Sequence, residues 1–151
     1  MKTILNKQIC AFLEESDKIA ALSNVSACIQ MSYKNINWVG FYFVKDNQLI
    51  LGPFQGKPAC TRIPFDKGVC GKCYRNKSVQ RIDNVLAFSG HIACDCDSRS
   101  ELCVPIIVNG KCIGEIDIDS PITSRFGQKE ENEMLQAAYD IAQAYLQHHW
   151  I

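Results

Sequence analysis

One β-hairpin, in residues 102–119, constrains the fold of this chain more than any other segment. Two segments rich in apolar residues, 102–108 and 111–119, flank the dipeptide Asn109-Gly110. Asn-Gly is the favoured pair for a two-residue hairpin turn, because that turn needs positive φ at both positions. The sequence therefore predicts an antiparallel sheet that contains this hairpin.

Helical patterns at both ends of the chain enclose the strand-rich middle. Residues 2–33 carry two amphipathic helical patterns, and a final helix is predicted for 127–148. A second hairpin is predicted to turn at Asp46-Asn47 and to end at Gly52-Pro53. Helices at both ends with an antiparallel sheet between them predict an α+β sandwich.

Composition limits the partners that the chain is expected to take. With 151 residues, 47% hydrophobic and 21% charged, the chain has an ordinary globular balance and is expected to form one domain over 1–151. Its net charge is zero and it has no basic block, which argues against nucleic acid and against an anionic membrane surface. No apolar run approaches the length of a membrane span, and the N-terminus lacks the apolar segment of a signal peptide. These features predict a cytoplasmic protein.

Nine cysteines need an explanation in a reducing compartment. An odd number without a secretion signal argues against a structural disulfide framework. Cys10 and Cys28 fall in helical apolar patterns and Cys103 and Cys112 in strands, so these four are interpreted as small buried hydrophobic residues. The other five lie in polar or Gly/Pro-rich segments and are candidates for chemistry: Cys60, Cys70, Cys73, Cys94 and Cys96.

The segment just before the hairpin, residues 91–101, concentrates reactive side chains. It holds two cysteines, three carboxylates, one histidine and one arginine within eleven residues. It also ends a stretch of about nineteen residues without clear periodicity, a length typical of functional or mobile loops. Loops held by a rigid strand commonly present chemistry, so this segment is the first candidate for an active site.

Three interpretations of the five cysteines stay open on the residue pattern alone. Cys70-x-x-Cys73 and Cys94-x-Cys96 resemble a four-thiolate zinc site with a tight second pair. All five could instead be incidental. The third interpretation is thiol redox catalysis, which needs a thiolate stabilised by a positive neighbour or a helix N-terminus. Cys94 has a histidine and an arginine in its own segment, and Cys70 lies at the start of a predicted helix.

The second strand of the hairpin carries three carboxylates on one face. Period-two alternation places Glu115, Asp117 and Asp119 together. Glu115 is expected to lie on an exposed face in water. Asp117 and Asp119 are expected either to be exposed in the same way or to face a ligand ammonium, an arginine or a metal ion.

Several motifs together resemble one family, the free methionine-(R)-sulfoxide reductases, which are single GAF domains. The resemblance runs from about residue 17 to the C-terminal helix and rests on these segments: Asn37-Trp-Val-Gly-Phe-Tyr, Leu51-Gly-Pro-Phe-Gln-Gly-Lys-Pro-Ala-Cys-Thr-Arg-Ile-Pro-Phe, Lys67-Gly-Val-Cys-Gly, Phe88-Ser-Gly-His-Ile-Ala-Cys-Asp, Ser98-Arg-Ser-Glu and Ile116-Asp-Ile-Asp-Ser-Pro. It implies a GAF-like central antiparallel sheet with the N-terminal and C-terminal helices packed on one face. It also implies reduction of the free amino acid rather than of the protein-bound residue.

The resemblance assigns roles to seven residues. It implies that Cys94 is the nucleophile and that Cys60 and Cys70 serve resolution and recycling. It also implies that Trp38 is the aromatic wall for the methyl-sulfur end of the substrate. The acidic cluster of the pocket is implied to be Glu101, Asp117 and Asp119. These roles agree with the chemistry of the residues. Carboxylates can hold the substrate ammonium, and an indole face suits a neutral sulfoxide.

The implied reaction needs neither a metal nor an organic cofactor. The Cys94 thiolate attacks the sulfoxide sulfur, with Asp119 as the preferred acid for the departing oxygen, and Cys94 becomes a sulfenic acid. Cys60, or with less support Cys70, then forms a disulfide that thioredoxin or a similar dithiol reduces. The expected partners are free methionine-(R)-sulfoxide and thioredoxin, and the resemblance leaves room for a homodimer.

Two cysteines depart from the family pattern. Cys73 and Cys96 stand where small or polar residues are expected. Cys73 could offer a second relay with Cys70, and Cys96 could compete for the sulfenic acid on Cys94, or both could be tolerated substitutions. The alternative functions are a non-catalytic GAF-type module, which binds a small ligand or senses redox state, and a zinc-stabilised interaction module.

The acidic pocket also sets a condition on the hairpin. A strict two-residue hairpin pairs Leu102 with Asp117, which puts Glu101 on the opposite face from Asp117 and Asp119. All three acids can share a pocket only if Glu101 lies before the regular ladder or if a β-bulge shifts the register.

Overall fold

One six-stranded antiparallel sheet organises the chain, which a computed structural model describes over residues 1–90 and 94–150. The strand order is β3-β2-β1-β6-β5-β4. The strands are β1 (Trp38–Lys45), β2 (Gln48–Gly56), β3 (Arg62–Ile63), β4 (Gln80–Ile82), β5 (Ser100–Val108) and β6 (Lys111–Ser120). The predicted hairpin is therefore β5 and β6, and β6 lies between β5 and β1.

The helices are α1 (Ile4–Phe12), α2 (Lys18–Ser32), α3 (Gly68–Asn76) and α4 (Gln128–His148), with a 3-10 turn at Val85–Ala87. Asp17 caps α2 by accepting a hydrogen bond from the Ala20 amide at 2.9 Å. At the start of α4, Glu130 accepts a hydrogen bond from the Gly127 amide at 2.8 Å. The predicted helical ends of the chain are confirmed. No helix in the described ranges combines the length and apolar character needed to cross a bilayer.

The main core fills one face of the sheet. The side chains of Val39 and Phe41 on β1 and of Ile116 and Ile118 on β6 point to this face and are fully buried. Helices α2 and α4 cover them, and α1 packs across both helices. The N-terminal and C-terminal helices thus lie on the same face, as predicted.

Helix α3 covers the other face and creates a second, smaller core. Val69, Cys70 and Cys73 of α3 pack against side chains of β1 and β5, including Trp38 and Cys103. This face carries the odd-numbered acidic positions of β6. The second core therefore forms the floor of the candidate site.

The two hairpin turns have the backbone that their sequences predict. Asn109 and Gly110 have φ of 51° and 79°, and Asp46 and Asn47 have φ of 53° and 57°. One boundary was predicted wrongly, since β2 continues to Gly56 instead of ending at Gly52-Pro53. Beyond its short pairing with β3, β2 lies at the sheet edge, and the pairing with β1 is irregular there. Proline is tolerated at such positions.

A β-bulge in the β5–β6 hairpin shifts the strand register so that Glu101 can share a face with Asp117 and Asp119. Ile107 pairs with Cys112, but the preceding Ile106 pairs with Gly114, so Ile113 is the extra residue. From there Glu101 lies opposite Asp119. Glu101 therefore shares a face with the β6 carboxylates, through the second of the two routes that the sequence allowed.

Candidate active site

One cavity brings together the residues to which the sequence motifs assign roles. It lies on the α3 face of the sheet, between the loop that follows β2, the first turn of α3 and the ends of β5 and β6. Its lining includes six of the seven: Trp38, Cys70, Cys94, Glu101, Asp117 and Asp119. The seventh, Cys60, follows the lining residue Ala59 and is bonded to Cys94.

A disulfide joins Cys60 and Cys94 across 34 positions of sequence, with the two Cα atoms 5.6 Å apart. Both cysteines are half-buried at the rim of the cavity. A dithiol reductant can approach a disulfide at such a rim more easily than one in a core. His91, proposed as a positive neighbour of Cys94, lies outside the described residues.

The segment that follows Cys94 is held by hydrogen bonds to Asn37, the residue before β1, and to the end of β6. The Asn37 side-chain amide donates to Asp95 Oδ2 at 2.9 Å and to Ser98 Oγ at 3.1 Å. The Arg99 amide donates to the Ser120 carbonyl at 2.7 Å. The guanidinium of Arg99 donates to two carbonyls of its own segment, so it shapes this loop.

Three carboxylates line the inner wall of the cavity. Glu101 and Asp117 are buried, and Asp119 is half-buried beside them. None of the four ion pairs found between described residues involves any of these acids. Among the described residues, the cavity is therefore an acidic site without a basic side chain in its lining, which favours a cationic ligand group.

The pKa values of all three acids are raised. Burial, together with the charge of Asp117, raises the pKa of both Glu101 and Asp119 well above the ordinary range. Burial also raises the pKa of Asp117, but hydrogen bonds from Glu101 and Cys70 oppose that shift. Burial therefore favours the protonated form of all three acids, and the hydrogen bonds from Glu101 and Cys70 favour the ionised form of Asp117.

Glu115 corrects one expectation from the sequence. It was predicted to face water, but its side chain is 0% exposed. The prediction failed because β6 is an inner strand of the sheet and α3 covers its acidic face. Sequence alternation identified the shared face but could not show that a helix covers it.

Trp38 forms the aromatic wall of the cavity. Its ring stacks on Phe54 with the centroids 5.4 Å apart, and its indole N–H donates to the Lys57 carbonyl at 3.2 Å. Gly40 leaves room for this stack, since a Cβ there would lie 2.7 Å from the Trp38 ring. The indole is therefore held in one orientation.

Tyr42 is a cavity residue that the sequence reasoning did not single out. It lies four positions after Trp38 on the same face of β1, so strand periodicity could have identified it. Its hydroxyl donates to the Cys60 carbonyl at 2.8 Å. Tyr42 thus fixes the backbone of the cysteine that is bonded to Cys94.

Cys70 lies at the bottom of the cavity, in the first turn of α3. Its Sγ is 3.8 Å from Glu101 Oε2 and 3.9 Å from Cys103 Sγ. The contact with Cys103 lowers the pKa of the Cys70 thiol, but burial and the nearby carboxylates outweigh it and raise that pKa well above the ordinary value. Cys70 is a poor thiolate in this state.

The four-thiolate set suggested by the sequence is not assembled. Cys94 is bonded to Cys60, Cys96 is exposed, and Cys73 is fully buried under α3. The interpretation as small buried residues is confirmed for Cys28, Cys103 and Cys112, which are less than 10% exposed, but it is wrong for Cys10, which is half-buried with its Sγ 3.2 Å from Asp140 Oδ2.

Comparison with known proteins agrees with this geometry. The GAF domain family matches residues 4–145. The free methionine-R-sulfoxide reductase of Escherichia coli (strain K12) is 45% identical over 133 residues, which span 87% of this chain and 81% of that protein.

Two solved structures extend the comparison. That of fRMsr of Staphylococcus aureus in its reduced form superposes with a TM-score of 0.89 at 46% identity, over 93% of this chain and 92% of that one. That of free methionine-R-sulfoxide reductase from Neisseria meningitidis, in complex with its substrate, superposes with a TM-score of 0.93 at 35% identity, over 97% and 89% of the two chains. This chain belongs to the GAF-domain family and, within it, to the free methionine-(R)-sulfoxide reductases, as its motifs predicted.

Proposed function

We propose that this protein reduces free L-methionine (R)-S-oxide to L-methionine, with Cys94 as the nucleophile. The observation that carries the proposal is that Cys94, the Trp38 indole and three carboxylates line one cavity. A free amino acid has an ammonium group that a protein-bound methionine lacks. The acidic wall provides a reason to select the free amino acid.

The cavity offers a partner for each part of this substrate. Asp117, whose ionised form is favoured by hydrogen bonds from Glu101 and Cys70, receives the ammonium. The methyl-sulfur end rests against the Trp38 indole, below Cys94. The substrate carboxylate faces the first turn of α3, whose N-cap Lys67 makes no side-chain capping bond. Backbone amides at a helix N-terminus favour an anion.

Reduction begins when the Cys94 thiolate attacks the sulfoxide sulfur. Asp119 donates a proton to the oxygen, and burial favours the protonated acid that this step needs. The oxygen passes to Cys94, which becomes a sulfenic acid, and methionine is released. The sulfoxide loses its oxygen, and one thiol is oxidised.

Cys60 completes the chemical cycle. Its thiol attacks the sulfenic acid, water leaves, and the Cys60–Cys94 disulfide forms with Cα atoms 5.6 Å apart. Thioredoxin or a similar dithiol of the cytoplasm then reduces this disulfide by exchange. The steps use only cysteines, carboxylates and the dithiol, so they need no metal and no organic cofactor.

Turnover of racemic free methionine sulfoxide tests the proposal. The reduced protein is incubated with the racemate and with thioredoxin, thioredoxin reductase and its reductant, and methionine is measured. We expect consumption to stop when half of the racemate has been converted. Absence of turnover, or conversion of both sulfur epimers alike, would contradict the proposal.

A blocked amino acid that mimics a protein-bound residue provides the matched control. N-acetyl-methionine sulfoxide amide carries the same sulfoxide but neither the ammonium nor the carboxylate. We expect its rate to be lower by at least about two orders of magnitude, since polar groups built to bind a substrate reject an analogue that lacks their partners. Equal rates would show that the acidic wall does not select the free amino acid.

A further inference from the structure

A second group of reactive side chains is buried beneath the active-site cavity. Cys70, Cys103 and Glu115 are all buried, and each offers one ligand atom within 4.8 Å of the others. They come from three elements, α3, β5 and β6, which are fixed relative to one another by the sheet and its covering helix. The proposed reaction gives no task to Cys103 or Glu115.

Glu115 is the residue that makes this group unusual. Its side chain is 0% exposed, and both carboxylate oxygens lack a hydrogen-bond partner among the described residues. The four ion pairs of the described chain do not include it, and its charged neighbour on β6 is another acid, Asp117. An unsatisfied buried carboxyl group costs several kcal/mol. A bound cation would remove that cost.

The sulfur atoms have the spacing of two ligands on one tetrahedral ion. The Sγ atoms of Cys70 and Cys103 are 3.9 Å apart. Two thiolates at about 2.3 Å from a tetrahedral Zn²⁺ are about 3.8 Å apart. The carboxylate oxygen lies within 4.8 Å of both sulfurs, so it needs a shift of about 1 Å at most to complete three ligands of a tetrahedral ion.

A fourth ligand is available from the same helix. Cys73 lies one turn after Cys70 on α3 and is fully buried. It packs in the same small core as Cys70 and Cys103. Three thiolates and one carboxylate are a donor set that suits Zn²⁺, whereas Mg²⁺ and Ca²⁺ prefer oxygen ligands.

We propose that Cys70, Cys103 and Glu115, with Cys73 in the fourth position, form a buried binding site for Zn²⁺. This set differs from the four-thiolate site suggested by the sequence, because it uses neither Cys94 nor Cys96. The ion lies below the substrate cavity and reaches its ligands through it, since Cys70 is both a ligand and a lining residue of the cavity. The site does not depend on the proposed reaction.

Metal titration of the disulfide form tests this site. With Cys60 and Cys94 bonded to each other, these two sulfurs are not available as thiolate ligands, and seven free cysteines remain, Cys70 among them. The protein is stripped with a chelator, its seven thiols are counted, and Co²⁺ is added as a spectroscopic substitute for Zn²⁺. We expect one Co²⁺ per chain, with the near-ultraviolet charge-transfer band of thiolate ligation, and displacement by one equivalent of Zn²⁺.

Cysteine and carboxylate variants locate the ion. Cys103→Ala is expected to abolish the thiolate–Co²⁺ band, and Glu115→Gln is expected to weaken binding by at least about 10-fold. Cys112→Ala is the matched control, since Cys112 is a buried cysteine whose Sγ donates to the Gly114 carbonyl at 3.3 Å. Cys96→Ala controls for the exposed group Asp95–Cys96–Asp97. Both controls are expected to bind as the unmodified protein does.

Two results would overturn the proposal. One is the absence of a thiolate–Co²⁺ band in the unmodified protein, which needs no variant to fold. The other is a thiolate–Co²⁺ band that persists in folded Cys103→Ala, or one that disappears in folded Cys96→Ala. Circular dichroism establishes that each variant is folded.

Discussion

At the scale of single residues, the proposed reaction needs both Cys94 and Cys60 to form the disulfide, but only Cys94 to reduce the substrate. Replacing Cys94 by serine removes the nucleophile, so we expect activity to be lost with every reductant. Replacing Cys60 by serine leaves the nucleophile in place, and a small dithiol can reduce the sulfenic acid directly. We therefore expect Cys60→Ser to keep dithiothreitol-driven turnover and to lose most thioredoxin-driven turnover. Parallel assays with the two reductants measure this difference, and equal losses in both variants would contradict it.

The proposed role of Asp119 as general acid predicts how the reductase activity falls at high pH. As a general acid it must be protonated, and burial raises its pKa, so activity persists above the pH at which an ordinary aspartate is ionised. We expect kcat/KM to fall as the pH rises through this raised pKa. Asp119→Asn should remove that limb and lower kcat by roughly 10² to 10⁴. Asp97→Asn is the control, because Asp97 is exposed outside the cavity. An unchanged kcat in Asp119→Asn would give the acid role to another group.

Glu115 predicts a change of stability with pH. Burial raises its folded-state pKa, so between the ordinary glutamate pKa and this raised value the folded state binds more protons than the unfolded state. The free energy of unfolding is therefore highest at low pH. Between the two pKa values of Glu115 it falls by about 1.4 kcal/mol for each pH unit. Glu115→Gln removes this loss.

Urea unfolding of metal-free protein, from about pH 5 to about pH 8, measures the effect. We expect Glu115→Gln to gain stability relative to the unmodified protein as the pH rises, whereas exposed Glu14→Gln should follow the unmodified protein. A constant difference between Glu115→Gln and the unmodified protein at every pH would show that Glu115 titrates normally.

The residue scale is also where sequence reasoning was least complete. Alternation placed Glu115, Asp117 and Asp119 on one face, but it assigned Glu115 to water. Burial depends on which strands and helices lie beside β6, and those contacts are long-range. Long-range contacts also explain why Cys103 was interpreted only as a small buried strand residue, although its sulfur lies 3.9 Å from that of Cys70.

At the scale of elements, the bulge at Ile113 builds the acidic wall. Without the extra residue, Glu101 would face the opposite side of the sheet from Asp119. The Asn-Gly turn was readable from sequence because its backbone is local. The bulge was one of two alternatives that the sequence left open, because it depends on strand pairing beyond the turn.

Gly40 links strand packing to substrate binding. An added methyl group would lie 2.7 Å from the Trp38 ring and in contact with Phe54. We expect Gly40→Ala to displace the indole, to raise KM and to lower stability by about 1–3 kcal/mol. Steady-state kinetics and urea unfolding measure the two effects.

Gly110→Ala is the control for Gly40→Ala. A methyl group at Gly110 meets nothing within 4 Å, but φ is +79°. The cost is therefore backbone strain alone, about 1–2 kcal/mol, and KM should not change. A raised KM in Gly110→Ala, or an unchanged KM in Gly40→Ala, would contradict a positioning role for Gly40.

At the scale of the whole molecule, the two faces of the sheet have different tasks. One face packs against α1, α2 and α4 and supplies most of the apolar core. The other face, under α3, holds the carboxylates and the buried thiols. The helices and the main hairpin were predictable from periodicity, and the family motifs identified residues that the structure brings together at one cavity. The strand order was not, and it is the strand order that puts β6 at the centre of the site.

Single-turnover oxidation tests the central claim most directly. Fully reduced protein is mixed with an excess of free L-methionine (R)-S-oxide without any reductant, methionine is counted, and the disulfide is mapped by mass spectrometry. We predict one methionine per chain, with one new disulfide between Cys60 and Cys94. Formation of no methionine, or a new disulfide that leaves Cys94 as a free thiol, would contradict the account.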